Sequence, residues 1–218
     1  MNVFIGLDVS LASTAICVLG PQGRIVEELQ AESEPEALVR AIASLSYSID
    51  AIGLEAGPLS QWLSKGMEEA GFDVVMMETR LVKAALKAMP IKTDRRDAQG
   101  IARLLQMGWY RPVHRKSVSS QEIRALLSAR KSIQQAIINL ELSMRGVLRN
   151  FGLKLGHVTR IRYEARVREL VEQNEILSAS TEALLRARAQ LRVELAELDA
   201  KIADLAKQDD VCRLMMTM

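Results

Sequence analysis

Residues 1–80 alternate between short apolar runs and amphipathic stretches. Five of the runs are rich in β-branched and other apolar residues, have the length of strands, and lie at 3–9, 13–20, 24–30, 51–56 and 72–78. The turn signal "GPQG" precedes the third run, so the first three predict an antiparallel meander. Helical spacing at 33–45, with Ser33 as the predicted cap, and at 58–71, closed by Gly71, separates the later runs. The pattern predicts an α/β sheet with mixed strand directions and flanking helices.

After residue 80 the strand-like runs stop and helical spacing takes over. A short helix is predicted over 79–89, ended by Pro90. Thr93 is the predicted cap of the next helix, "DRRDAQGIARLLQMG". Residues 109–116 have the composition of a linker or an edge segment. A long helix is then predicted from about Ser119 through "QEIRALLSARKSIQQAIINLELSMRGVLRNFG".

A third helical region, roughly 160–208, carries leucines at intervals of seven residues. The predicted seam consists of Leu184, Leu191, Leu198 and Leu205, with Leu195 and Ile202 at the alternate position. This spacing is typical of a coiled coil, and Arg188 interrupts it. Two long helices that cannot bury their apolar stripes alone predict a helical hairpin, a partner chain, or both.

The composition is that of an ordinary globular protein, with 49% hydrophobic and 26% charged residues. No stretch approaches the roughly 18 consecutive apolar residues of a membrane span. The N-terminus carries Asp8 inside its apolar run and has no basic region, so it is not a signal peptide. The two cysteines are isolated and have no metal-ligand spacing, which favours a reduced cytoplasmic setting.

The net charge of +2 conceals a strong asymmetry along the chain. The balance is −9 over residues 1–79, +14 over 80–170 and −3 over 171–218. A basic segment of this length predicts binding to a phosphate backbone, because neutralised phosphates release condensed counterions. The alternative is a solvated helical face. The candidate nucleic-acid-binding residues are Lys92, Arg95, Arg96, Arg103, Arg111, Arg115, Lys116, Arg124, Arg130 and Lys131.

Four carboxylates fall at the ends of predicted elements. Asp8 follows the apolar part of the first strand, Glu55 ends the fourth, and Asp94 and Asp97 lie in the first turn of one helix. Their alternatives are solvent-exposed strand ends, helix caps and a salt-bridged helix surface. Gathered together, four carboxylates repel one another unless divalent cations hold them. Mg²⁺ or Mn²⁺ prefers such oxygen ligands, and two ions are expected here.

Three motifs, in this order and at these separations, carry a family resemblance: "GLDVS" at 6–10, "LEAGP" at 54–58 and "KTDRRDA" at 92–98. The chain resembles the DEDD transposases of bacterial insertion sequences. Their N-terminal domain is similar to the RuvC Holliday-junction resolvase, which has an RNase H-like fold. The expected fold class is therefore an RNase H-like (RuvC-like) mixed sheet with flanking helices, followed by a long-helix coiled-coil segment.

The resemblance also implies roles and partners. Asp8, Glu55, Asp94 and Asp97 would be the catalytic, metal-binding acids. Members of the family resemble recombinases that join donor and target DNA, and some use a structured guide RNA encoded by the element. The family implies a dimer or tetramer joined through the helical region. A bacterial, cytoplasmic protein without a membrane partner is expected.

The expected domains are an RNase H-like catalytic domain at 1–116, a helical oligomerisation and nucleic-acid-binding segment at 117–210, and the start of a C-terminal domain at 211–218. In the family that further domain holds a Gly-rich motif and a catalytic serine. The chain ends about where the domain should begin, so a fragment or a truncated gene product is expected. No serine of this chain can be assigned the nucleophile's role.

Three functions remain to be weighed. The leading hypothesis is the N-terminal part of a transposase, which performs metal-dependent phosphodiester cleavage and strand transfer at insertion-sequence ends. The alternative is a non-catalytic nucleic-acid-binding and dimerisation module. A phosphotransferase of the actin and sugar-kinase type shares the opening "GLDVS", but the chain has no further Gly-rich phosphate loops at the required spacing.

Overall fold

The computed structural model describes residues 1–87 and 93–216, which include all the predicted site residues except Lys92. They form two compact units, 1–116 and 117–218, here called the sheet unit and the helical unit. Among the helices in the described ranges, none combines the length and the apolar character needed to cross a bilayer.

The sheet unit is built on five strands in the order β3-β2-β1-β4-β5. The strands are β1 (Asn2–Val9), β2 (Ser13–Leu19), β3 (Ile25–Glu32), β4 (Ser48–Glu55) and β5 (Val74–Met77). β1, β2 and β3 form the predicted antiparallel meander, whereas β4 pairs in parallel with both β1 and β5. The predicted mixed sheet is therefore confirmed.

Four helices cover the two faces of the sheet: α1 (Pro35–Ala43), α2 (Ser60–Glu69), α3 (Thr79–Leu86) and α4 (Asp94–Gln106). Because side chains alternate along a strand, Ile5 and Leu7 pack with α1 and α2, whereas Phe4 packs with the cluster that contains α3 and α4. Gly71, with φ +92°, follows α2 as predicted. The sheet thus lies between two layers of helices.

The predicted Ser33 cap of α1 is wrong. The residue at the N-cap position is Glu34, whose side chain makes no capping bond. Ser33 is buried and its hydroxyl instead pairs with the Thr14 hydroxyl and donates to the Ser10 carbonyl. The Ser33 hydroxyl is therefore used in tertiary hydrogen bonds and does not cap α1.

Helix α4 lies directly against the backbone of β1. A Cβ atom added to Gly6 would lie 2.2 Å from the carbonyl oxygen of Ala98 and 2.4 Å from the amide nitrogen of Ala102. At the far end of the helix, Gln106 donates to the carbonyl of Gly20, in the turn between β2 and β3. That turn lies beside the start of β1, because Leu19 pairs with Phe4. The N-terminus of α4 therefore lies toward the C-terminal ends of β1 and β4.

The helical unit contains α5 (Val118–Asn150), α6 (Tyr163–Val171), α7 (Glu175–Gln208) and α8 (Asp210–Met216). Helices α5 and α7 pack as an antiparallel hairpin, since Arg130 pairs with Asp199 and Glu141 with Arg188. The predicted long helices are confirmed. The six predicted seam positions of α7 are half-buried, so coiled-coil packing stays a prediction.

The predicted helical region at 160–208 is two helices, α6 and α7, and Asn174 begins the second. Its side-chain oxygen accepts a hydrogen bond from the amide of Leu177 at 3.0 Å. Because an uncapped first turn leaves amides without partners, we expect Asn174→Ala to lower the free energy of unfolding by about 1 kcal/mol. Urea denaturation followed by circular dichroism measures this. Asn174→Gly is the matched control, and an equal loss in both variants would contradict the capping role.

Candidate active site

Asp8 and Glu55 lie side by side at the ends of two parallel strands. The register pairs Leu7 with Leu54, so the two acids occupy the next positions along β1 and β4. Each lies two residues beyond a glycine that faces α4, so both side chains point to the α4 face. Both are half-buried, and both line one cleft of about 320 Å³ at the strand ends. The sheet register therefore places these two residues next to each other, as the sequence predicted.

Lys83, on α3, approaches this pair and was not among the predicted site residues. Its ammonium nitrogen lies 3.8 Å from a carboxylate oxygen of Glu55. The lysine side chain is 70% exposed, so this is a surface ion pair that contributes about 0–1 kcal/mol. The sequence could have indicated this contact, because α3 begins immediately after β5, and β5 is the strand next to the one that carries Glu55.

Asp97 is the most unusual carboxylate of the sheet unit. Its side chain is buried, with 8% exposure, although it makes no hydrogen bond or ion pair within the described ranges. Its oxygens are not among the completely buried side-chain atoms that lack a partner in the described ranges, so they keep some access to solvent, and the helix N-terminus adds about 0.3–1 kcal/mol of stabilisation. The next residue, Ala98, contacts Gly6 of β1, two residues before Asp8. Asp97 therefore lies on the side of the sheet that α4 covers, and no basic side chain of the described ranges pairs with it.

Asp94 occupies a neighbouring position. It is exposed at the start of α4, where the Thr93 hydroxyl caps the helix as predicted by accepting a hydrogen bond from the amide of Arg96. Asp94 lines a second cleft, of about 330 Å³, together with Ala15 and Glu28. Ala15 is the register partner of Asp8, so this cleft adjoins Asp8 on the β2 side.

Of the four predicted acids, Asp8 and Glu55 line one cleft and Asp94 lines the adjoining one, whereas the buried Asp97 lines neither. Among the residues whose placement is described, no three His, Cys, Asp or Glu side chains stand close enough to hold a metal ion jointly. The donor chemistry nevertheless fits Mg²⁺ or Mn²⁺. Asp8 and Glu55 supply oxygen ligands from one cleft, and Asp97 is a buried carboxylate that a cation would neutralise. The shared four-carboxylate site stays a prediction.

The basic candidates differ in how they are held. Arg95, Arg96 and Arg103 are exposed on α4, and none of them pairs with an acid in the described part of the chain. These three guanidinium groups lie on the same helix as Asp94 and Asp97. They remain available to contact phosphates next to the carboxylates.

Other candidates are already engaged. Arg111 lies 3.9 Å from Glu78, Arg115 forms an ion pair with Glu68, and the Lys116 amide donates to Gln61. In the helical unit Arg130 pairs with Asp199, whereas Arg124 and Lys131 are exposed. Lys92 lies outside the described residues. Nucleic-acid contact by all ten remains a prediction.

Cys17 lies beneath α4 in the cluster that contains Ala98 and Ala102. Burial, assisted by the nearby Glu28 carboxylate, raises the pKa of its thiol to about 11. The thiol is therefore protonated at neutral pH and unreactive. It packs as a small apolar side chain and supplies neither a nucleophile nor a metal ligand.

Comparison with known proteins identifies the family. The sequence profile of the IS110-type DEDD transposases, described as "Transposase", matches residues 5–152. The transposase for insertion sequence element IS1111A of Coxiella burnetii (strain RSA 493 / Nine Mile phase I) is 26% identical over 161 residues, which is 73% of this chain and 42% of that protein. Putative transposase y4qE of Sinorhizobium fredii (strain NBRC 101917 / NGR234) is 27% identical over 140 residues, which is 62% of this chain and 36% of that protein.

Among solved structures, Thermus thermophilus RuvC aligns with a TM-score of 0.38 and 16% identity, and the alignment covers 51% of this chain and 99% of RuvC. Because the profile covers more than half of the sequence, the chain belongs to the DEDD transposase family of the IS110 type. Family membership and the mixed five-stranded sheet with its flanking helices confirm the predicted RNase H-like (RuvC-like) fold class. The chain spans less than half the length of the two transposases it matches.

Proposed function

We propose that the sheet unit performs metal-dependent phosphodiester cleavage and strand transfer at insertion-sequence ends, as the N-terminal part of a transposase. The catalytic carboxylates are Asp8, Glu55, Asp94 and Asp97. The observation that carries this proposal is the pair Asp8 and Glu55, which end two adjacent parallel strands and line one cleft, on the sheet face covered by the helix that carries the buried Asp97. A divalent cation bound between such carboxylates would offset their mutual repulsion.

Asp8 and Glu55 would hold Mg²⁺ or Mn²⁺ through carboxylate oxygens, and Asp97 and Asp94 would complete the set for two ions once the bound cations draw the four side chains together. Bound there, two such ions would polarise the scissile phosphodiester and stabilise the leaving oxygen. Arg95 and Arg96 precede Asp97 on α4 and are exposed, so they can bind the phosphates that flank the bond to be cut. This division of labour explains why carboxylates lie inside the most basic part of the chain.

The partners follow from the family. DNA is the proposed substrate, a structured RNA the proposed guide, and a dimer or tetramer joined through the long helices the proposed assembly, acting in the bacterial cytoplasm. The half-buried seam of α7 supports association, since its leucines are incompletely covered by α5.

A second candidate function is a nucleic-acid-binding module that does not cleave. The exposed guanidinium groups of Arg95, Arg96 and Arg103 favour it, because they can bind a phosphate backbone without any contribution from the acids. This module would bind DNA or RNA equally well after loss of all four carboxylates. It would produce no nicks in Mn²⁺.

Calorimetric titration with Mn²⁺ tests the metal site. We expect Asp97→Asn and Asp8→Asn each to weaken Mn²⁺ binding at least tenfold, since each removes a charged ligand. Asp73→Asn, at the opposite end of the sheet beside the start of β5, is the matched control and should bind as the parent does.

The same variants separate the two functions. Nicking of a DNA duplex in Mn²⁺ that is lost in Asp8→Asn and kept in Asp73→Asn supports the nuclease. Unchanged Mn²⁺ affinity in both Asp8→Asn and Asp97→Asn, with gel shifts retained and no nicking by the parent, supports the binding module instead.

A further inference from the structure

The helical unit contains a basic cleft that lies outside the candidate active site and outside the predicted nucleic-acid contacts. The last turns of α5 and the loop after it enclose about 520 Å³. The lining residues are Arg145, Arg149, Lys154, Leu155, Gly156 and His157. No acid lines the cleft. Its sequence signal is the spacing of the basic residues in "RGVLRNFGLKLGH", on both sides of a helix end.

The basic side chains that line this cleft are not used in ion pairs. Arg149, Lys154 and His157 are exposed, and no acid in the described part of the chain pairs with any of them. Other arginines of the same unit do have acidic partners. The pairs are Arg130 with Asp199, Arg166 with Glu169, Arg168 with Glu182, and Arg188 with Glu141 and Glu164. The cleft therefore gathers several basic groups that have no acidic partner in the described ranges, a property they share with Arg160 and Arg162 further along the chain.

The loop that presents these cations is fixed in place. Leu155, between Lys154 and His157, is 5% exposed and packs into the apolar cluster of the helical unit. Gly152 and Gly156 adopt positive φ angles of 72° and 69°, which allow the chain to bend sharply on each side of it. Arg145 donates a hydrogen bond of 3.0 Å to the carbonyl of Gly156, which ties the loop back to α5. A preorganised loop loses little conformational freedom when it binds a ligand.

Helix stability alone accounts for only part of this charge. A cation in the last turn of a helix interacts favourably with the helix dipole, which explains Arg149, and Arg145 serves to hold the loop. Lys154 and His157 lie beyond the helix and gain nothing from the dipole. Basic character continues along the chain with Arg160 and Arg162, both of them exposed. A run of separated cations matches the repeated phosphates of a polymer better than one small anion.

We propose that this cleft binds the sugar-phosphate backbone of one polynucleotide strand, with Arg149, Lys154 and His157 as the groups that contact phosphates. The inference rests on the proposed function only for taking the ligand to be a nucleic acid. Both RNA and DNA carry this backbone, and the experiment distinguishes them. The cleft would give the helical unit a contact for nucleic acid that is separate from the predicted contacts at Arg124, Arg130 and Lys131.

Fluorescence anisotropy of the full chain with labelled single-stranded RNA, single-stranded DNA and duplex DNA, measured over a range of salt concentrations, tests the proposal. We expect Arg149→Gln/Lys154→Gln to weaken binding of the preferred strand about tenfold at low salt. Loss of two phosphate contacts should reduce the slope of log K against log salt by about 1.4 for a single strand or about 1.8 for a duplex. The ligand of the cleft is the nucleic acid whose slope falls by the larger share of the value expected for its own type.

Arg166→Gln/Lys207→Gln is the matched control, because it removes the same charge from cations that already have acidic partners. It should change the slope by less than half as much. Parent-like slopes for the cleft variant with all three nucleic acids, or an equal change in the control, would overturn the proposal. Mn²⁺ affinity should be unaffected by the cleft variant, so failure of the metal site and failure of the cleft give different results.

Discussion

Gly6→Ala is expected to destabilise the sheet unit by about 3 kcal/mol or more, because there is no room for even one methyl group between β1 and α4. The added carbon would lie 2.2 Å from the carbonyl oxygen of Ala98 and 2.4 Å from the amide nitrogen of Ala102. Both atoms belong to helix backbone, so the overlap cannot be relieved by a side-chain rotation. The helix must move away from the sheet, and it must then expose Ile101 and Leu105, which are buried now.

Urea denaturation followed by tryptophan fluorescence measures this effect selectively, since the two tryptophans, Trp62 and Trp109, are both in the sheet unit. Gly146→Ala is the control, because an added Cβ there meets nothing within 4 Å and Gly146 lies inside α5. That variant should stabilise the helical unit by roughly 0.5–1 kcal/mol, through better helix propensity. If Gly6→Ala unfolds at the parent's urea concentration, the close packing of α4 on β1 is wrong.

The same substitution links packing to the candidate site. Helix α4 carries Asp97, whereas β1 carries Asp8, so any separation of the two elements also separates the two acids. We therefore expect folded Gly6→Ala to bind Mn²⁺ more weakly than the parent, although it keeps every carboxylate. The glycine in "GLDVS" is needed for the close approach of a helix, and its contribution to metal binding is indirect.

The sheet was predictable because its signals are local. Apolar runs and turn residues located all five strands, and the helical crossover from β3 to β4 accounts for the parallel direction of β1 and β4. This is why Asp8 and Glu55 were correctly expected to meet. Asp94 and Asp97 were expected to act together because of their spacing on one helix. The structure separates them, since Asp97 turns into the protein and Asp94 lines the cleft on the β2 side.

The helical unit was harder to predict because its important contacts are distant in sequence. The seven-residue spacing predicted a leucine seam on α7, but the residues of α7 that are buried are Leu177, Thr181, Leu185 and Arg188. Arg188 was regarded as an interruption of that seam. Its partners, Glu141 and Glu164, are 47 and 24 residues away, on two other helices. No local pattern indicates such a network, so only the folded structure reveals it.

Arg188→Ala is expected to lower the free energy of unfolding of the helical unit by about 3 kcal/mol, because Arg188 is a buried charge on which three helices converge. The side chain is 2% exposed. Its Nε donates to Glu141 at 2.7 Å and one Nη to Glu164 at 3.2 Å, and the guanidinium carbon lies 4.5 Å from the centre of the Tyr163 ring. Removal leaves a cavity and two carboxylates without their shared cation. Both carboxylates are about one-third exposed, which keeps the cost below that of fully buried acids.

Removing the two acids instead of the arginine should lower the free energy of unfolding by at least as much. Glu141→Gln/Glu164→Gln leaves the guanidinium buried without a negative partner, and arginine cannot relieve this by losing its proton. Urea denaturation followed by circular dichroism measures both variants, and Arg186→Ala, at an exposed position of the same helix, should stay within about 0.5 kcal/mol of the parent.

An apolar replacement of the whole network separates charge from position. Arg188→Met combined with Glu141→Leu and Glu164→Leu should recover most of the stability lost in Arg188→Ala, because well-packed apolar groups often replace a buried ionic network without loss. The network would then be dispensable for stability, and its value would lie in fixing how α5, α6 and α7 align. If Arg188→Ala instead unfolds as Arg186→Ala does, the guanidinium is solvated and the three helices must be held by their apolar cluster alone.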